Sequence, residues 1–264
     1  MNFRNILILI FILQCTSSFA AGGSAFSDDD PRATHAKKPQ QRNWEFDGIF
    51  GRFDRASAQR GFQVYKEVCS SCHGLKRVSY RNLANIGFSQ DEIKQIASEY
   101  QVIDGPDEEG DMFERAALAS DKYVGPYANE NAARAANGGA YPPDLSLIVK
   151  ARPDGANYIY SLLTGYKEAP EEFNLTQGKY YNPYFEGRQI SMPEPIADDL
   201  HIEYINGTFA TKEQMVLDVV NFLQWAAEPE TESRKKMGIR TMIFLIILFI
   251  IMIAAKNAVW KKVK

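Results

Sequence analysis

The sequence predicts a mostly α-helical domain with long loops, followed by one C-terminal transmembrane helix. Three observations predict it. Apolar residues recur at i, i+3, i+4 and i+7 in several stretches bounded by capping residues. The segments between them are punctuated by Gly and Pro, and no internal repeat or low-complexity tract appears. Residues 237–255 form a nineteen-residue run in which only Arg240 is charged. The length of 264 residues fits one domain plus accessory segments. A hydrophobic fraction of 45%, a charged fraction of 24% and a net charge of −3 exclude a mostly disordered chain. They also exclude a nucleic-acid binder that works through global charge, so no nucleic-acid partner is expected.

Residues 1–20 read as a secretory signal peptide. Arg4 supplies the positive start, residues 6–13 are apolar, and Ser18-Phe19-Ala20 offers small residues for cleavage. Cleavage after Ala20 removes Cys15, which leaves two cysteines and no expected disulfide. The segment lacks the Arg- and Ser-rich amphipathic character of a mitochondrial transit peptide, so bacterial export is expected. Residues 21–43 read as a mobile extension, and 44–229 as the folded domain. Residues 44–53 form an aromatic loop packed on that domain, with Trp44, Phe46, Phe50 and Phe53. Asp54 is the expected N-cap of a helix whose stripe is Ala58, Gly61, Phe62, Tyr65, Val68, Cys69 and Cys72, ending near Gly74. Ser89 and Glu92 have capping-box spacing for a helix over 89–100.

Residues 104–111 pack five carboxylates around Gly105-Pro106, either as a solvated loop or as a docking surface for a basic partner. An Ala-rich helix is expected over 129–136, closed by Asn137-Gly138-Gly139. Pro142-Pro143 forms a stiff extended wall, Asp144 caps a short helix, and a further helix covers 156–164. A long aromatic loop spans 168–204. The last soluble helix spans 211–227, with Thr211 and Gln214 at capping-box spacing. A basic flank at 230–236 precedes the membrane run, which spans about 28 Å at 1.5 Å per residue, enough for the hydrocarbon core of a lipid bilayer. Basic residues balance across it, so the export signal orients it: the domain is outside the inner membrane and residues 256–264 are cytoplasmic.

Cys69-Ser70-Ser71-Cys72-His73 is the attachment signature of a c-type haem. Cysteines three apart on one helical turn can form thioethers to two vinyl groups, while the following His73 reaches the iron. A zinc site needs about four ligands, and no second cysteine pair exists. A thioredoxin-like dithiol would follow a strand in a βαβ pattern, and none precedes the motif. For the second axial position the sequence favours Met192, which lies in the aromatic loop just before two stiffening prolines, Pro193 and Pro195. Met112, His35 and His201 stay open as alternatives, and Met215 is expected in the core. Methionine ligation raises the reduction potential relative to two histidines, and closing both axial positions leaves one-electron transfer. The other ring nitrogen of His73 is expected to donate to a carbonyl, with the Pro142-Pro143 segment as the candidate.

From Trp44 to the basic tail the sequence resembles the cytochrome c1 family, the haem c subunit of the ubiquinol–cytochrome c reductase (cytochrome bc1) complex. The resemblance is carried by Arg60-Gly61-Phe62-Gln63-Val64-Tyr65 running into the haem motif, and by Ala132-Ala133-Arg134-Ala135-Ala136-Asn137. It continues through Pro142-Pro143-Asp144-Leu145-Ser146, Ser161-Leu162-Leu163-Thr164-Gly165-Tyr166, Tyr181-Asn182-Pro183-Tyr184-Phe185 and Trp225-Ala226 with Glu228-Pro229. It implies a cytochrome c-like haem domain, one haem c bound covalently at Cys69 and Cys72, and His73 and Met192 as axial ligands. It also implies Arg134 near a haem propionate, an electron delivered by the Rieske iron–sulfur protein, and an electron accepted by a cytochrome c. Cytochrome b would be the membrane neighbour in a dimeric complex, and no catalytic site of the chain's own is expected. The loop before Met192, Glu186-Gly187-Arg188-Gln189-Ile190, is more polar than the family pattern. A free-standing membrane-anchored c-type cytochrome is the alternative. It leaves the extended acidic and aromatic segments unexplained.

Overall fold

The computed structural model describes residues 35–198 and 200–261. The expected signal peptide and the end of the tail lie outside the described residues. The helices are α1 (Arg55–Glu67), α2 (Gln90–Ser98), α3 (Glu130–Ala136), α4 (Gly155–Thr164), α5 (Lys212–Ala227) and α6 (Thr231–Trp260). Two short antiparallel pairs join β1 (Gln101–Asp104) to β2 (Phe113–Ala116), and β3 (Tyr180–Tyr181) to β4 (Gln189–Ile190). The architecture is mostly helical, as the sequence predicts.

The core is organised by α1 crossing α5. Asp54 starts α1 by accepting from the backbone N–H groups of Ala56 and Ser57. Gly61 faces α5 at close range: a Cβ there would lie 1.9 Å from the carbonyl oxygen of Asp218. Glycine is what lets these two backbones meet. One residue before it, Arg60 grips Asp218 with two bonds of 2.8 Å, Nε to Oδ2 and Nη2 to Oδ1. The Asp218 side chain is fully buried, and Gln214 Nε2 also donates to it at 3.1 Å. Phe62, Tyr65, Phe222 and Trp225 stack around this crossing, and Tyr80 packs on Tyr123 with centroids 4.3 Å apart. Met215 is buried in this core, as expected.

Several local expectations hold, and several are revised. Ser89 and Glu92 form the reciprocal capping box of α2, Asn129 caps α3, and Thr211 caps α5. By contrast, the α-helix does not run through the cysteine motif: α1 stops at Glu67 and Cys69–Ser71 form a 3-10 turn. The acidic stretch is the connection of the β1–β2 hairpin, where Arg115 pairs with both Asp104 and Asp121. A 3-10 helix at Tyr80–Ile86, capped by Ser79 and Asn82, also escapes the periodicity reading. In the aromatic loop Phe46 and Phe53 are buried, but Phe50 is 82% exposed.

The described part of the N-terminal extension runs along the domain. The Lys37 N–H donates to the Pro183 carbonyl at 2.7 Å and the Gln40 N–H to Ser161 Oγ at 2.8 Å, while Arg42 donates to the Tyr160 hydroxyl at 2.7 Å. Arg188 is buried and donates through Nε to the His35 carbonyl at 2.9 Å. At the other end, α6 continues through the basic flank without a break. It is long and apolar enough to cross a membrane, and its apolar window is not buried against the domain.

Candidate functional site

The turn after α1 brings the cysteine motif together. The His73 N–H donates to the Cys69 carbonyl at 2.9 Å, and the Cys72 N–H donates to the same oxygen at 3.1 Å. The two cysteines are unpaired thiols, both half-buried. A 3-10 turn followed by a single bonded residue thus delivers the thiol–thiol–imidazole set that the sequence reading placed on an α-helix. Burial, with the neighbouring Cys72 adding to it, pushes the Cys69 thiol up to about 12. Tyr65, on the last turn of α1, donates its hydroxyl to the His73 carbonyl at 3.0 Å and so fastens the histidine backbone to the helix.

His73 meets its second segment through the ring. Nδ1 lies 2.8 Å from the carbonyl oxygen of Pro143. A carbonyl only accepts, so Nδ1 carries the hydrogen and the Nε2 lone pair is left for a ligand. Burial lowers the pKa of this histidine, outweighing the Pro143 bond and the nearby Asp144 carboxylate, which favours the neutral ring a metal requires. The Pro143 carbonyl is held in place by its neighbours. Asp144 Oδ2 accepts from the Lys76 N–H at 2.8 Å, the Leu145 N–H donates to the Gly74 carbonyl at 2.9 Å, and the Arg77 N–H donates to Ser146 Oγ at 3.0 Å. Two chain segments some seventy residues apart are zipped together on either side of the imidazole. The Pro142-Pro143 expectation is met; the Asp144 and Ser146 clamps were not foreseen.

Met192 comes from a third segment. It is half-buried against the core, and its carbonyl accepts from the Tyr166 hydroxyl at 3.1 Å. Two residues on, Glu194 pairs with Lys212 at the start of α5. Among the other candidates, Met112 is 61% exposed beside β2, His201 is exposed, and the His35 carbonyl is taken up by Arg188. Arg134 lies on α3, where it pairs with Glu130 at 2.6 Å, donates to the Gly139 carbonyl at 3.0 Å and covers the Tyr141 ring. Its neighbours Glu130, Ala133 and Tyr141 line a small cleft together with Cys72 and Asp144. The helix of Arg134 therefore borders the cysteine turn, although its guanidinium is engaged elsewhere.

This donor set fits a covalent haem. Two free thiols on one turn flank an imidazole whose tautomer leaves Nε2 available, and a thioether sits on a separate, tethered segment. It fits a bare metal ion poorly: among the described residues no group of three or more His, Cys, Asp and Glu side chains is placed to hold one.

Residues 44–263 match the model of the Cytochrome C1 family. The chain is 49% identical over 261 residues to cytochrome c1 of Rhodospirillum rubrum, covering 93% of this chain and 94% of that protein. It is 49% identical over 222 residues to a mitochondrial cytochrome c1 heme protein of Arabidopsis thaliana, covering 84% and 72% of the two chains. It is also 48% identical over 242 residues, 91% and 84% of the two chains, to the catalytic subunit of the mitochondrial cytochrome b-c1 complex of Candida albicans.

Proposed function

The chain belongs to the cytochrome c1 family, and on that premise we propose that it passes single electrons from a Rieske iron–sulfur protein to a cytochrome c within a cytochrome bc1 complex. It carries one covalent haem c and is anchored to a membrane by α6. The designation of the Candida relative as a subunit of the cytochrome b-c1 complex supports the assembly. Cytochrome b is its neighbour in the bilayer, and the complex is a dimer. The haem domain faces the periplasm of a bacterial inner membrane and residues 256–264 face the cytoplasm. In this reading residues 1–20 are a signal, 44–229 the haem domain, and 237–255 the membrane-embedded part of α6.

The observation that carries the residue assignment is the 2.8 Å contact between His73 Nδ1 and the Pro143 carbonyl, next to two unpaired cysteines. When bound, the haem supplies a one-electron Fe(II)/Fe(III) couple. Cys69 and Cys72 would hold it by thioethers, and His73 Nε2 and the Met192 sulfur would be the ligands to its iron. The Pro143 carbonyl fixes the imidazole plane and raises its basicity. Tyr166 and the Glu194–Lys212 pair tether the Met192 segment from two sides. Arg134 would be the residue to meet a haem propionate, a charge-assisted contact that would tune the potential.

Rapid mixing of ubiquinol with native membranes tests this function. The c-type haem is expected to be reduced when the Rieske protein is present and to stay oxidised when that protein is deleted, while ascorbate reduces it in both cases. Quinol reduction that persists without the Rieske protein overturns the assignment of the donor.

A further inference from the structure

A cleft of about 320 Å³ opens where the soluble domain meets the start of α6. Its lining carries both signs of charge, Arg55 paired with Glu232 and Glu230 nearby in the chain, with Trp225 also lining it. Trp225 is 1% exposed, and its indole N–H has no acceptor among the described residues. Glu232 is held in position, accepting from the Phe53 N–H at 3.1 Å and from Arg55 Nη2 at 3.4 Å.

The height of the cleft narrows the choice of ligand. Ser233, on its wall, precedes Met237, the first residue of the apolar run, by four residues, or about 6 Å along the helix. The headgroup layer flanking a hydrocarbon core of about 30 Å is about 5–7 Å deep on each side. The aromatic loop reaches the same level. Lys235 Nζ donates to the Gly51 carbonyl at 3.3 Å and also binds the Phe46 carbonyl, and in that loop Ile49 and Phe50 are 67% and 82% exposed. Two exposed apolar side chains tied to the helix at this depth suit acyl chains better than water.

We propose that the cleft holds the headgroup of a zwitterionic aminophospholipid, an inference that rests on α6 being the membrane anchor. The phosphate oxygens accept from Arg55, and the ammonium group donates to Glu230 and Glu232. An anionic headgroup without an amine would set its phosphate against two carboxylates, and a choline headgroup has no N–H to donate. The mixed lining therefore selects the primary amine.

The test uses the full complex in phosphatidylcholine nanodiscs doped with a photoreactive phosphatidylethanolamine bearing a diazirine near its glycerol. Adducts are expected on peptides covering residues 225–237 and 47–55. Unlabelled phosphatidylethanolamine should compete at least about tenfold better than phosphatidylcholine or phosphatidylglycerol. Arg55→Gln and Glu230→Gln should each lower the adduct yield about fivefold or more while leaving the reduced-minus-oxidised haem band intact. Equal competition by the three lipids, or yields unchanged in both variants, overturns the proposal. Because the haem band is read in the same samples, failure of the lipid site is separable from failure of the electron-carrier assignment.

Discussion

His73 Nδ1 lies 2.8 Å from the carbonyl oxygen of Pro143, and that carbonyl is held by Asp144, which accepts from the backbone N–H groups of Lys76 and Ser146. The orientation of the imidazole is therefore set by a carboxylate that never touches it. Asp144→Ala should keep the haem attached but weaken the His73–iron bond. Loss of an outer-shell partner typically costs about 10–100-fold in ligand affinity. A proton competes for the same nitrogen, so acid displacement of His73 should move about 1–2 pH units upward. A low-spin to high-spin titration of oxidised protein reads this directly, and curves that overlay those of the wild type remove Asp144 from the positioning role.

Met192→Ala should open one axial position while Cys69 and Cys72 keep the haem in place. The reduction potential should fall, since the thioether that favours Fe(II) is gone. The reduced variant should bind carbon monoxide, which the wild type should not do. Met112→Ala and His201→Ala should leave spectrum and potential unchanged, because Met112 and His201 are both exposed.

Arg60 and Asp218 join α1 to α5 in the core, with the carboxylate fully buried. Arg60 and the Gln214 amide give the carboxylate three donors, two on Oδ1 and one on Oδ2. Hydrogen bonding to Asp218 outweighs burial and holds the Arg60 guanidinium above its ordinary pKa, so it stays charged. Arg60→Ala leaves that charge buried and should cost about 3–5 kcal/mol of stability. Replacing both partners, Arg60→Met with Asp218→Leu, should recover most of the loss in thermal unfolding of the holoprotein, because apolar groups of similar volume often substitute for such a pair.

The β1–β2 hairpin should be acid-sensitive in a defined direction. Arg115 holds both Asp104 and Asp121 below the ordinary carboxylate value of 3.8. A carboxylate whose folded pKa is depressed binds fewer protons folded than unfolded, so its contribution is present above 3.8 and lost as pH falls below it. Protection of the β1 and β2 amides from hydrogen exchange, relative to the intrinsic rate at each pH, should be retained at pH 5 and fall below pH 3.8. In Arg115→Gln that protection should already be lost at pH 5.

Much of this molecule is legible in its sequence because its signals are local. Ser89 with Glu92, Asn129, Thr211 and Asp54 each sit beside the backbone N–H groups they cap, so spacing alone locates the helix starts. The pairing of His73 with the Pro142-Pro143 segment was accessible because a ring nitrogen needs a carbonyl and that stretch is rigid. The path of the chain through the motif was not. Spacings of i+3 and i+4 are met by a 3-10 turn with one further bond as well as by an α-helix, so Cys69, Cys72 and His73 do not distinguish the two. The β1–β2 hairpin was hidden because its four-residue strands carry charge without alternation and are held by Arg115 across the ladder. Arg188 belongs to a stretch that reads only as polar; it is buried with its Nε donating to the His35 carbonyl, 153 residues away, and no window along the chain contains that.

A reduced-minus-oxidised optical spectrum of the chain purified in mild detergent from its native membrane decides whether it carries a covalent haem c inside a cytochrome bc1 complex. A c-type band should stay with the polypeptide after denaturation, together with b-type bands from the co-purifying cytochrome b. A spectrum with no c-type band, or a c-type band that separates from the denatured chain, would contradict that assignment.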